Sequence, residues 1–264
     1  MIPLVCIDVD GTLVGSAGVV QPAVWSAAER ARAAGIRIAV CSGRPAFGIT
    51  RDYAERLDAE GWHSFQNGAS VVHLANGCSR SSRIAPETVA MLVDRARCTG
   101  RMLELYTDDD YAFEVSSEME CAHAELLGVP FSPRPLESLQ GPIVRALWLL
   151  PHAEADAVIA EPHPGLEVSR SSSPMMPGTC FVNMTLAGVD KATAVRLMAA
   201  EYDVPLERVM FVGDGQNDAT AMRIVGYAVA MGNAAPEARE AARRSVAHVD
   251  DGGLAEALDL AVTS

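Results

Sequence analysis

The sequence predicts an α/β protein with parallel strand-and-helix units at both ends of the chain and a less regular α+β insertion between them. Short apolar runs alternate with helical patterns from Leu4 to about Arg83, and again from Asp190 onward. Between those stretches helices and strands no longer alternate regularly. The apolar runs also end in reactive chemistry: Asp8 to Thr12 after the first, Ser42-Gly43-Arg44 after the second, and Asp214 to Asp218 in the last third. Active sites of open α/β sheets lie at such strand ends.

The first stretch, Leu4 to Thr12, reads LVCIDVDGT: a buried strand running into two aspartates, a glycine and a threonine. Residues i and i+2 of extended backbone point to the same side, so Asp8 and Asp10 share one small volume beyond the strand. Two carboxylates about 4 Å apart repel by roughly 4 kcal/mol at an effective dielectric near 20, so a cation or a shared proton is expected between them. Gly11 permits a sharp turn and Thr12 offers a hydroxyl. A strand ending in a solvated Asx turn is the competing reading, and these residues alone leave both open.

The remaining elements follow in order. VGSAGVVQP is a loop or small hairpin, then a helix runs from Pro22 to about Ala34 and Gly35 ends it. Ile36 to Cys41 is a second strand, and Pro45 is expected to open the next helix. The Asn-Gly pair inside SFQNGASVV signals a turn or hairpin. In the insertion we expect a helix over Pro86 to Cys98, two short strands within Met102 to Val115 around Asp108 to Asp110, and a helix over Ser117 to Leu127. Pro-rich segments at 130 to 135 follow, then a strand over Ile143 to Leu150, a helix over Ala153 to Ala160, and strands at Leu166 to Val168 and Cys180 to Met184. After Asp190 come a helix from Lys191 to about Tyr202, a strand over Val209 to Val212, and a helix begun by GDGQND. A strand over Tyr227 to Ala230, a helix from Pro236 and a last helix near Leu254 to Leu260 complete the chain.

With 49% hydrophobic and 21% charged residues among 264, the composition is that of a globular protein with a sizeable core. No apolar run approaches the roughly 20 residues that span a bilayer, and no basic segment precedes an apolar one at the start. A cytoplasmic location with no membrane partner is expected. The six cysteines form no CxxC pair and are read as reduced thiols; the six histidines show no i, i+4 pair and are read as surface or packing residues. The net charge of −13 argues against a nucleic-acid partner. It leaves room for a small anionic substrate at a site where positive charge is locally concentrated.

DVDGT at 8 to 12, SGR at 42 to 44, Lys191 at a helix start and GDGQND at 213 to 218, in this order and each at a strand end or helix start, resemble the phosphatases of the haloacid dehalogenase superfamily. Asn67-Gly68-Ala69, the roughly 100-residue insertion and AMGNA at 230 to 234 resemble its Cof-type branch. Ala192 stands where that branch usually has glycine, and Gly215 and Gln216 separate the acidic positions of the last motif; neither departure removes a functional side chain. The resemblance implies a doubly wound, Rossmann-like core over 1–82 and 184–264, and an α+β cap over 83–183 that selects substrate.

It also implies a magnesium-dependent phosphomonoester hydrolase acting on small phosphorylated metabolites such as sugar phosphates or phosphorylated cofactors. Asp8 would be the nucleophile, forming an aspartyl-phosphate, and Asp10 the general acid and base. Ser42 and the Gly43 amide would hold phosphoryl oxygens while Lys191 neutralises charge. Mg2+ would be held by Asp8, the Asp10 carbonyl and Asp214, with Asp218 direct or through water. Thr12, Gly43, Arg44 and Asn217 complete the substrate-binding set, Arg44 being equally an anchor or an exposed helix-start residue. A phosphomutase or a non-catalytic phosphometabolite sensor are the alternatives, and the expected assembly is a monomer or homodimer. Asp108 to Asp110 reads as a solvated hairpin turn, and Met175 and Met176, beside Ser171 to Ser173 and two prolines, as a loop.

Overall fold

The structure, a computed structural model, describes residues 2–171, 173 and 175–264. In chain order its strands and α-helices are β1 (Leu4–Ile7), α1 (Pro22–Ala33), β2 (Arg37–Val40), α2 (Ile49–Asp58), β3 (Trp62–Phe65), β4 (Ser70–His73), α3 (Pro86–Thr99), β5 (Met102–Tyr106), β6 (Tyr111–Phe113), α4 (Glu118–Leu127) and β7 (Arg145–Pro151). They continue with α5 (His152–Ile159), β8 (Leu166–Ser171), β9 (Thr179–Leu186), α6 (Lys191–Glu201), β10 (Val209–Gly213), α7 (Ala219–Met222), β11 (Tyr227–Ala230), α8 (Pro236–Ala241), β12 (Arg244–Ser245) and α9 (Gly253–Thr263). The chain forms two compact units: Met1–Arg44, Thr50–Arg80 and Asp190–Ser264 make the first, Pro45–Ile49 and Ser81–Val189 the second.

The first unit is built on a parallel sheet in the order β12-β11-β10-β1-β2. Its central strand, LVCI, is wholly apolar and wholly buried, as expected for a strand covered on both faces. Leu4, Cys6, Val209 and Phe211 pack against Ala194, Val195 and Met198 of α6 and Met222 of α7. Helices α1 and α9 pack against each other and against β2 and β10, and Arg30 of α1 grips Asp259 of α9 through both carboxylate oxygens. The Asn-Gly hairpin signal is met by β3 and β4, which pair antiparallel with Phe65 opposite Ser70. A single Cys41 to Ser64 bridge attaches this hairpin beyond β2, and the buried His63 imidazole accepts the Val40 amide proton at 3.0 Å.

The second unit carries an antiparallel five-stranded sheet, β6-β5-β7-β9-β8. Alternation sorts its faces. Leu103, Leu105, Trp148 and Val182 pack with Leu92 of α3 and Val158 of α5, while Tyr106, Phe113, Leu149 and Phe181 form a separate cluster with Leu127 of α4.

Three expectations shift. The helix expected from Pro45 begins at Ile49, because Gly48 adopts φ +61°, and a Cβ there would lie 2.2 Å from the Leu127 carbonyl oxygen. The strand expected to end at Met184 runs to Leu186 in register with β8, and the second unit accordingly extends to Val189. The strand expected over Leu166 to Val168 runs on to Ser171, while Met176, in a loop as expected, buries its side chain with Tyr106, Phe113 and Phe181. Ser171 closes β8, whereas Ser172 and Pro174 lie outside the described residues. Asp108 to Asp110 do form the turn of the β5-β6 hairpin, with Arg134 paired to Asp110. All six cysteines are free thiols, and no helix among the described residues is long and apolar enough to cross a membrane.

Candidate active site

Parallel register is what assembles the site. Ile7 of β1 pairs with Val40 of β2 and Val212 of β10, so the next residues, Asp8, Cys41 and Gly213, leave the sheet at one level. Ser42 and Asp214 follow immediately. Lys191 arrives from the first turn of α6, whose N-cap Asp190 accepts the Thr193 amide at 2.9 Å and so fixes where the helix begins.

Lys191 is the hub. Its fully buried Nζ donates to Asp8 Oδ1 and to Asp218 Oδ1, both at 2.6 Å. The second oxygen of Asp218 accepts the amides of Asp214 and Gly215 at 3.0 and 2.8 Å, so this carboxylate clasps the acidic loop onto the lysine. Asp214 is oriented from two sides: Thr12 Oγ1 donates to it at 2.9 Å and Asn233 Nδ2 at 3.1 Å. Asn233 also donates to the Gly11 carbonyl and accepts from Val249 N, tying three loops together. Gly11 itself has φ +82°, and a Cβ there would stand 2.2 Å from Asp214 Oδ2. No other residue type fits that approach.

A second group lies beside it. Asp10 is exposed and held by Arg44 through Nε at 2.9 Å and Nη2 at 2.5 Å, a bidentate pair. Ser42 is fully buried; its Oγ accepts the Arg44 amide at 3.1 Å and its carbonyl accepts the Asn67 amide at 2.9 Å. Asn217 donates through Nδ2 to Asn67 Oδ1 at 2.9 Å, and Gly43 lies against the same side chain, where an added Cβ would meet Asn67 Oδ1 at 3.1 Å.

The sequence-derived residues therefore fall into linked sets: Asp8, Lys191 and Asp218; Thr12 and Asp214; Asp10 and Arg44; Ser42, Gly43 and Asn217 around Asn67. Thr12 and Arg44, expected to meet substrate, each have a carboxylate partner within the protein. Sequence reasoning passed over Asn233, whose AMGNA segment served only as a family mark, and Asn67, which served only as a turn signal. Its φ of +56° is one that asparagine tolerates, and this turns the side chain toward Asn217.

The electrostatics are those of an acidic pocket short of cations. Asp8, Asp214 and Asp218 bring one oxygen each within 4.8 Å of one another, and only Lys191 opposes them in the buried set. Burial pushes the Asp8 carboxyl well above the usual range; Lys191 opposes this, and the neighbouring aspartates add to it. Burial raises Asp214 to about 6 against the Thr12 hydrogen bond. Burial works against the charge of Lys191, but Asp218 and Asp8 outweigh it and hold its pKa above the ordinary lysine value. Three carboxylates against one ammonium leave two negative charges, the deficit that one divalent cation fills, and an all-oxygen donor set suits a hard ion. The residues present thus fit a divalent metal.

A strand-end aspartate pair, a buried lysine and an acidic loop thus converge at one end of a parallel sheet. The model of the haloacid dehalogenase-like hydrolase family matches residues 5–258, and the chain belongs to that family, in its Cof-type phosphatase branch. It is 26% identical over 272 residues to the presumed phosphatase YxeH of Bacillus subtilis (strain 168), covering 98% of this chain and 97% of the relative. It is 23% identical over 280 residues to YwtE of the same organism, named a 5-amino-6-(5-phospho-D-ribitylamino)uracil phosphatase, covering 97% and 96%. A haloacid dehalogenase-like hydrolase from Bacteroides thetaiotaomicron has the same fold, with a TM-score of 0.85 at 24% identity over 98% of this chain and 99% of that one.

Proposed function

We propose that this enzyme is a magnesium-dependent phosphomonoester hydrolase that acts on small phosphorylated metabolites through an aspartyl-phosphate intermediate. The observation that carries this reading is the buried Lys191 bridge between Asp8 and Asp218, which fixes a carboxylate at the tip of the central strand. An Asp8 oxygen attacks phosphorus; the bond from phosphorus to the leaving oxygen breaks, and that oxygen takes a proton from Asp10. Asp10, now a carboxylate, accepts a proton from water as the water oxygen attacks the acyl phosphate, releasing inorganic phosphate and restoring Asp8. Arg44 grips Asp10 through Nε and Nη2 and so orients its side chain. A phosphoryl oxygen would compete for the same guanidinium. Lys191, the Ser42 hydroxyl and the Gly43 amide would steady the phosphoryl oxygens. Asp8, Asp214 and the Asp10 carbonyl would hold Mg2+, which would neutralise charge on the phosphoryl group. Asp218 would reach the metal directly or through water, and its hydrogen bonds tie it to Lys191 and the acidic loop.

Substrate choice is assigned to the inserted second unit as a cap. The activity for which YwtE is named, and a neighbouring fold described as a subclass IIB sugar phosphatase, support small phosphorylated metabolites as the class. The test is phosphate release from sugar phosphates, nucleotides and phosphorylated cofactors with Mg2+ or EDTA. We expect Mg2+-dependent release that falls by about 10⁴-fold or more in Asp8→Asn. Full turnover by that variant would overturn the covalent step; an isomerised phosphate product would point to a mutase, and tight binding without turnover to a sensor.

A further inference from the structure

The second unit buries polar groups that hydrolysis does not use. On α4, Glu120 and His123 are three residues apart and project from one face, the Glu-x-x-His spacing that helical bundles use to bind metal. Facing them from β5 is Glu104, on the same side of the strand as Tyr106. These three residues are 0%, 1% and 4% exposed for Glu104, Glu120 and His123, and one ligand atom of each lies within 4.8 Å of the others.

Glu120 is the telling member. Both of its carboxylate oxygens are buried without a hydrogen-bond donor, while Glu104 accepts from His123 Nδ1 at 2.7 Å and from the Tyr106 hydroxyl. Two carboxylates facing one another in a dry interior require a proton or a cation between them. A single proton shared with Glu104 satisfies one Glu120 oxygen and leaves the other buried without a donor. A divalent ion satisfies the set and balances both carboxylates. We propose that Glu104, Glu120 and His123 form a second, structural cation site, for a divalent ion of borderline softness such as Zn2+ or Mn2+. Imidazole ligation disfavours Mg2+, and two carboxylates disfavour Cu+. The surroundings are those of a supported site: Tyr106 fixes one Glu104 oxygen, and the His123 ring packs on Phe181 with centroids 5.0 Å apart.

The experiment is metal counting by mass spectrometry on the full chain, loaded with Zn2+ or Mn2+ and then dialysed against Mg2+, together with thermal denaturation. The parent should keep about one equivalent and gain roughly 5 °C in Tm on loading. Asp214→Asn, which damages the acidic loop of the first unit, should keep that ion. Glu120→Gln and His123→Ala should lose it at least tenfold, and their Tm should not respond to loading. Glu120→Gln is nearly isosteric and its amide can donate to Glu104, so it folds whether or not an ion belongs there. An ion retained by Glu120→Gln lies elsewhere and overturns the proposal. So does a parent that binds none and shows a carboxylic-acid C=O infrared band that disappears in Glu120→Gln, because the pair then holds a proton.

Discussion

The first unit gathers its acids at the open ends of parallel strands, whereas the second gathers them in the middle of an antiparallel sheet under a helix. In the first, Asp8 and Asp218 share one buried ammonium, and Asp218 also takes two backbone amides. In the second, Glu104 takes an imidazole and a phenol, and Glu120 takes no donor. Strand ends supply loose amides and room for a ligand; strand middles supply neither, because their amides are committed to the ladder. A cluster at a strand end is thus suited to exchange partners during a reaction, and one in mid-sheet to hold a single occupant.

Three changes test this contrast. Lys191→Met should have the largest effect, costing about 3–5 kcal/mol in urea denaturation by leaving buried carboxylates uncompensated. Part of that loss should return with Mg2+, since a cation can stand in for the ammonium. A loss that Mg2+ does not touch would mean the strand-end cluster is as closed as the mid-sheet one. Next comes acid. His63 has its pKa lowered to about 4 by burial, so the unfolded chain, titrating near 6.5, takes up the proton first. Its contribution is intact above about pH 6.5 and is lost as pH falls through 4, about 3 kcal/mol in all. Urea midpoints at pH 7 and pH 4 should diverge by that much more in the parent than in His63→Asn, whose side chain can still accept the Val40 amide. The smallest effect is that of Tyr106→Phe, about 2 kcal/mol from a donor removed from buried Glu104, seen in thermal denaturation and unmoved by Mg2+. Recovery with Mg2+ there would erase the distinction between the two clusters.

Much of the first unit was legible because β1, β2 and β10 each belong to an apolar run that stops where polar residues begin, and these parallel strands end together. Asp8, Ser42 and Asp214 needed no more than that to be placed side by side. What the sequence concealed depends on distant partners. Glu104 sits in MLELY, where alternation puts it on a face with Met102 and Tyr106 but cannot say that α4 will cover that face. Glu120 and His123 read as ordinary helix polar residues for the same reason. Asn233 was invisible as a clasp because its three partners come from residues 11, 214 and 249. The start of α2 was misplaced because Pro45 is a good first helical residue, and the backbone of Gly48, fixed by its approach to Leu127, overrides it. The two-residue strand β12 carries only Arg244 and Ser245, both exposed, and offers no apolar pattern to read.

The Lys191 bridge to Asp8 joins residues 183 positions apart. At a synthesis rate of about 5–20 residues per second, Asp8 leaves the ribosome roughly 10–40 s before the lysine that will neutralise it. In that interval nearly all of the second unit, whose sheet pairs only within residues 102–186, has been made and can close on itself. The inserted piece is therefore free to mature before the host that surrounds it in sequence. A nascent chain that has emerged as far as residue 189 and no further would display a finished insertion and an opening strand still waiting for its counter-charge.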